Sequence, residues 1–224
     1  MTTTILRIFI LLSSLNEKSK EVKYFQSSKY SITDIPYLCR MNKENIIIRP
    51  ATIEDVTTIA QVVAMALGGD PATHPLYAVF LELAGYESSQ YSYRNSLIAE
   101  IDSNPVGAIV GYDGAMLHEL RKPIFPLIQK HLGKTIEIED ETQAGEFYLD
   151  SVAVFPSYQG LGIGRMLIEA MRDKAFSEGH ERFGLIVDVD NPRAETLYQS
   201  IGFKRINPTT FLGHKMWHLQ IIKK

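Results

Sequence analysis

From residue 45 onward the chain switches repeatedly between two hydrophobic periods. "NIIIRPA", 45–51, is a short β-branched run closed by Pro50 and predicts a strand. Within "TIEDVTTIAQVVAMAL", 52–67, the residues Val56, Ile59, Ala60, Val63 and Leu67 share one helical stripe. Thr52, with Asp55 three residues on, supplies the N-cap, and "GGD", 68–70, ends the helix. "HPLYAVFLELAGY", 74–86, predicts a second helix rich in aromatics. "NSLIAEID", 95–102, and "PVGAIVGYD", 105–113, predict two strands joined by the turn "SN".

The pattern loosens over 114–145. "AMLHELRKPIFPLIQKHLG" has a helical period cut by Pro123 and Pro126, and the acidic "KTIEIEDETQAG" predicts a surface segment. Order then returns. "EFYLDSVAVFP", 146–156, predicts a strand stopped by proline, and "GRMLIEAMRDKAFSEG", 164–179, a helix ended by Gly179. "RFGLIVDVD", 182–190, reads as a buried strand. "NPRAETLYQSIGF", 191–203, reads as a short helix with Asn191 as N-cap, Pro192 in the first turn and Gly202 past its end. "HKMWHLQIIKK", 214–224, closes the chain as a strand. The order β, α, α, β, β, insertion, β, α, β, α, β predicts a single α/β domain around a mixed sheet over 41–224, with an insertion at about 114–145.

Composition narrows the function classes. With 45% hydrophobic and 22% charged residues in a chain of 224, one full core is affordable. A net charge of −3 argues against nucleic acid as a partner, because phosphate-backbone binding needs a basic excess. The single cysteine, Cys39, excludes an internal disulfide and fits a reducing, cytoplasmic location. His214 and His218 are four apart but lie in a strand pattern without cysteine or carboxylate companions, so no metal is expected.

Residues 1–40 match the rest poorly. "ILRIFILLSSL", 5–15, is too short to span a bilayer and is interrupted by Arg7. Charge inside the apolar run does not fit a signal peptide. No membrane partner is expected, and 1–40 reads as an N-terminal extension, disordered or preceding the true start at Met41.

The chemistry concentrates in "PSYQGLGIGRML", 156–167. Gly160, Gly162 and Gly164 alternate where a helix must begin. Glycine admits close approach to the backbone, and a helix start offers free N–H groups and partial positive charge, which together describe a phosphate cradle. The dinucleotide fingerprint places its third glycine one residue later, and the P-loop needs a Gly-Lys-Ser/Thr that is absent. Downstream, Tyr198 lies two helical turns from Asn191 on the same face. Taken alone, Tyr198 also suits core packing and Asn191 a plain N-cap.

Taken together, "LDSVAVFPSYQGLGIGRMLI" and "NPRAETLYQSIGF" resemble the GCN5-related N-acetyltransferase (GNAT) superfamily. The likeness rests on the strand, the loop "QGLGIG", the Asn before the last helix and the Leu-Tyr…Gly-Phe ending. "IIIRPATIEDV" resembles the family's first strand and helix, and the likeness covers roughly 45–224. It implies a single-domain fold whose central strands, here 146–155 and 182–190, splay apart. It also implies acetyl-CoA as co-substrate. The pyrophosphate would lie on the backbone N–H groups of Gly160, Leu161, Gly162, Ile163, Gly164 and Arg165, with Gln159 and Arg165 as side-chain donors and Asn191 alongside. The pantetheine arm would pair with the backbone of Val152, Ala153 and Val154 like an added strand.

The implied reaction is direct attack of a neutral amine on the thioester within a ternary complex, with a strand N–H near Val152 on the oxyanion and Tyr198 as general acid. Glu146, Tyr148 and Asp150 alternate onto one strand face, which makes Asp150 and Glu146 candidate bases. A glutamate that some members carry five residues before the Asn is replaced here by Ile186. Two alternatives stay open: a non-catalytic acyl-CoA sensor, and a nucleotide-dependent oxidoreductase using Asp188 and Asp190. The acceptor, a small-molecule or peptide amine, is expected against 68–93, with His74, Tyr77, Phe80, Tyr86, Tyr91 and Tyr93, and against 205–214. A homodimer is left open.

Overall fold

The computed structural model describes residues 45–224, so the expected extension 1–40, with Cys39, and the proposed start at Met41 lie outside the described residues. Ile46–Pro50 forms β1. Thr52 and Asp55 exchange hydrogen bonds as a capping box around a single 3-10 turn, Ile53–Asp55. That turn leads into α1, Val56–Ala66. Asp55 also fastens this helix start to β1, accepting from Arg49 Nη1 at 2.7 Å. Then come α2, Tyr77–Gly85, β2, Ser96–Ile101, and β3, Asn104–Asp113. The hairpin turns at Asp102 and Ser103, with φ of 49° and 64°, one residue earlier than "SN" suggests. Two consecutive left-handed residues are what a two-residue hairpin loop of this hand requires.

The insertion forms α3, Leu117–Arg121, and α4, Ile124–Leu132. Only Lys122 and Pro123 separate them. Pro126 lies in the first turn of α4, where its missing N–H had no intrahelical acceptor in any case. The acidic segment after α4 is not merely surface. Ile136 and Ile138 pack against Val79, Leu83, Ile124, Leu127 and Ile128, Thr142 is buried, and the Leu212 N–H donates to Glu139 at 2.7 Å. Residues 133–145 therefore act as a strap laid along the protein.

The remaining elements are β4, Phe147–Val154, α5, Ile163–Ser177, β5, Arg182–Asp188, α6, Pro192–Ile201, β6, Lys204–Phe211, and β7, His214–Ile222. Strand β6 is absent from the sequence expectation. It is a mostly exposed edge strand without an apolar alternation and it contains Pro208, which only an edge tolerates.

All seven strands form one sheet in the order β1-β2-β3-β4-β5-β7-β6. Every pairing is antiparallel except β4 with β5. That parallel pair meets only at Phe147–Phe183 and Tyr148–Gly184 and then parts, so the central strands are splayed. On one face, α1 and α2 cover Ile98, Ala108 and Val110, while Leu117 and Leu120 of α3 cover Tyr112 and Tyr148. On the other face, Phe147 sits under Lys174 of α5, and rings continue through Phe183 and Phe203 to Tyr198 of α6.

Candidate active site

The splay leaves one edge of β4 without a strand. The Phe155 N–H donates to the Val106 carbonyl at 2.9 Å, which sets the phase of the β3–β4 ladder. By the alternation of antiparallel pairing, Ala153 then faces β3, while the amides and carbonyls of Val152 and Val154 turn into the gap. The Val154 carbonyl is met there by Gln159 Nε2 at 2.9 Å, so that expected phosphate donor is tied to the strand.

The glycine loop follows directly. Gly160 and Gly162 both adopt φ of +83°, which glycine alone adopts without strain. A Cβ built at either would meet nothing within 4 Å, so the space above these backbones is open. Gly162 is the N-cap of α5 and offers no side-chain cap. The first-turn amides of Ile163, Gly164 and Arg165 have no intrahelical acceptor. Gly164 lies against β4, where a Cβ would make ordinary contact at 3.9 Å from Val154 Cγ2. Arg165 bridges to α6, donating to Ser200 Oγ at 2.5 Å and pairing with Glu169 at 3.4 Å. Leu161 lies between the two left-handed glycines. Asn191 caps α6 through the Ala194 amide at 3.1 Å. This open, uncapped, glycine-built helix start with an unpaired strand edge beside it fits an acyl-CoA: phosphate at the amides, amide arm along Val152 and Val154.

Tyr198 packs edge-on against Phe203 with ring centroids 5.7 Å apart. Burial pushes its phenol up to about 12. Among the described residues its hydroxyl has no hydrogen-bond partner, so the proton is uncommitted.

The opposite face holds a buried polar cluster. Val110 faces Ser151 while Gly111 faces Leu149, so Asp150 is the additional residue of a β-bulge. Bulges re-aim side chains beside functional sites. Asp150 Oδ2 accepts from Gln90 Nε2 at 2.7 Å and from Tyr112 Oη at 3.1 Å, and Oδ1 accepts from Ser151 at 2.7 Å. Glu141 Oε1, brought in by the strap, is held by the same Gln90 and Tyr112 atoms at 2.7 and 3.0 Å. Its second oxygen pairs with Arg121, which also meets Asp140 at 2.9 Å. Burial raises the Asp150 carboxyl above the usual carboxylate range despite these hydrogen bonds. Glu141 is raised too, by burial and by the Asp150 charge, against the pull of Arg121. Tyr91, Tyr112 and Tyr148 are pushed far above ordinary phenols by burial and by the same two carboxylates.

Glu146 behaves oppositely although it precedes the same strand. It accepts from Thr142 at 2.7 Å and Gln220 at 2.6 Å, and meets His218 Nε2 at 2.8 Å. Burial favours its neutral form, but these hydrogen bonds outweigh that and hold it below the usual range. Gly184 leaves room for it, since a Cβ there would sit 2.0 Å from Glu146 Oε2.

The aromatics expected around the acceptor divide. Tyr91 reaches the acidic cluster, Phe80 belongs to the core beside His74, and Tyr86 is exposed. Gln90, Tyr112, Arg121 and Glu141 are members of the cluster that sequence reasoning missed. A usable signal existed in "TIEIEDE". The alternation of Ile136 and Ile138 with acids marks an extended segment with an inward side. Among the described residues no group of His, Cys, Asp and Glu has the arrangement of a metal site. No helix there is long and apolar enough to cross a membrane.

Comparison with known proteins agrees with this geometry. The profile of the Acetyltransferase (GNAT) family matches residues 65–203. An N-alpha-acetyltransferase of Sulfurisphaera tokodaii is 30% identical over 161 residues, 71% of this chain and 80% of that protein. N-alpha-acetyltransferase RimI of Mycobacterium tuberculosis is 29% identical over 163 residues, 73% of this chain and 81% of its own. A crystal structure described as an acetyltransferase superposes with a TM-score of 0.69 at 31% identity, covering 80% of this chain and all of the other.

Proposed function

The chain belongs to the GNAT acetyltransferase family and is an acyltransferase; from that premise we propose that it moves acetyl from acetyl-CoA to a primary amine by direct attack in a ternary complex. The observation that carries the reading is the pairing of an unpartnered β4 edge with an uncapped glycine-built helix start. Acetyl-CoA supplies the activated thioester. The amides of the α5 first turn, with Gly160 and Gly162 clearing the approach, hold phosphate, and the backbone of Val152 and Val154 orients the pantetheine amides. The Val152 N–H, directed into the gap, is the donor for a developing oxyanion.

Asp150 is the base we assign. It stands on the bulge, and its raised carboxyl accepts a proton nearer neutral pH than an ordinary aspartate does. Glu146 has three hydrogen-bonding neighbours and a lowered pKa, so its role is to hold His218, Gln220 and the strap together. Tyr198 keeps its proton at neutral pH and donates it toward the departing sulfur. A phenol held at about 12 is a weak acid, so its main contribution is a hydrogen bond while the thiolate charge develops. The uncommitted hydroxyl favours turnover over a sensor role. Membership of the family removes the oxidoreductase alternative.

The acceptor is a small-molecule or peptide amine. A panel of primary amines with free-thiol detection tests the reading. Thiol release that depends on both acetyl-CoA and an amine supports it. Tight acetyl-CoA binding with no release on any small amine or peptide N-terminus would return the chain to a sensor.

A further inference from the structure

Resting on that reading, we infer that Glu141, delivered by the strap, is a positioning residue. It shares one proton-holding site with Asp150 through Tyr112 and Gln90, and so sets when Asp150 is free to take the acceptor amine's proton.

The geometry is specific. Glu141 Oε1 and Asp150 Oδ2 both lie 2.7 Å from the same nitrogen, Gln90 Nε2. Both also lie about one hydrogen-bond length from the same hydroxyl, at 3.0 and 3.1 Å from Tyr112 Oη. Two carboxylates this close in a buried site do not ionise independently; they titrate as a pair. The charged and titratable groups around them come from every packed element: Arg121 of α3, Asp140 of the strap, Tyr91 before β2, Tyr112 of β3, and Tyr148 and Glu146 at β4. Arg121 is the one cation among these, and it holds Glu141 rather than Asp150. An independent observation points to a guest. Gln90 is 4% exposed and its Oε1 has no hydrogen-bond partner. An empty acceptor beside two acids suits the N–H groups of an incoming ammonium, whose proton then passes to Asp150 before the free amine attacks.

The strap fixes Glu141 in this position. Glu141 is nine residues from Asp150 in sequence, and three contacts hold its segment: Arg121 on Glu141, the Thr142–Glu146 hydrogen bond, and the Leu212 amide on Glu139.

Carboxyl-detected ¹³C NMR titration of the full chain, free of substrate, tests the inference. In Glu141→Gln the Asp150 proton affinity should fall by at least about tenfold, toward the ordinary aspartate value of ~3.9. In Tyr112→Phe, which keeps the Arg121–Glu141 pair, it should rise at least threefold, because the ionised form loses a donor. A purely structural Glu141 would leave the midpoint in place. A change below twofold in Tyr112→Phe, and in Glu141→Gln if that variant folds, overturns the inference. The reading beneath it fails separately, and visibly, if Asp150→Asn acetylates an amine as fast as the parent.

Discussion

The two faces of the sheet build their halves of the site from different materials. On the α5–α6 face the proposed binding surface is mostly backbone: left-handed Gly160 and Gly162, the first-turn amides, and the bare edge at Val152 and Val154. It carries little charge and needs little side-chain detail. On the α1–α4 face the site is entirely side chains. Gln90, Tyr112, Arg121, Glu141 and Asp150 come from five separate segments and hold two acids against one guanidinium. A backbone site tolerates variation around it, because any residue supplies an amide. A side-chain site depends on each member, because a buried polar group without its partner costs roughly 1–3 kcal/mol.

The sharpest way to break this contrast is Asp150→Asn. It should reduce kcat/KM by ~10²–10⁴, the range for a lost acid–base group, while acetyl-CoA affinity stays unchanged. Steady-state kinetics beside calorimetry reads both at once. The same variant should be no less stable than the parent at neutral pH. A carboxyl whose pKa folding has raised opposes folding once ionised, and this penalty shrinks as pH falls below the folded value and is gone below the unfolded one. The variant's relative melting temperature should therefore be highest near neutrality and converge on the parent in acid.

Tyr198→Phe comes next, with a loss in kcat of ~10² and unchanged coenzyme affinity. An undiminished kcat would return Tyr198 to packing against Phe203.

Gly162→Val tests the backbone half. It should weaken acetyl-CoA binding by tenfold or more, which is ~1.4 kcal/mol. Left-handed valine also strains the fold, so Gly179→Val, at φ of +96° with open space around it, is the matched control. That control should destabilise similarly and bind normally; equal loss of affinity in both would mean strain, not phosphate contact, decides.

Glu146→Gln should act on stability more than on chemistry, costing about 1–3 kcal/mol, as for a buried hydrogen-bonded charge. Its folded pKa is lowered, so its contribution is present above the unfolded value and lost as pH falls through the folded one. Urea melts should therefore separate parent and variant more at pH 7 than in acid, the difference shrinking as pH falls. The smallest effect is proposed for a chain reduced to 41–224, which keeps every residue of both halves. Its melting temperature and coenzyme affinity should match those of the full chain.

The same contrast explains what could be read from sequence. The glycine-built helix start was legible because its information is local: three glycines, a helix start and a strand within twenty residues. The β2–β3 hairpin, the Thr52 cap and the Asn191 cap were legible for that reason too. The acidic cluster was not, because Gln90 and Glu141 are 51 residues apart and meet only through the fold. Asp150 and Glu146 looked equivalent as alternate residues, yet a bulge and different neighbours separate their proton affinities. Strand β6 escaped because an exposed edge has no apolar period to detect.

The parting of β4 from β5 after two residue pairs has a thermodynamic side. A sheet interior normally satisfies its own amides, and under the proposed function the missing neighbour is the coenzyme. Binding then completes secondary structure, so folding and occupancy are linked quantities. At coenzyme concentrations a hundredfold above Kd the native state gains ~2.7 kcal/mol by mass action. Amide exchange at Val152 and Val154 should slow with that gain while β1 and β2 barely respond. The protein's persistence in a cell would then follow the acyl-CoA level around it, falling when the pool is depleted.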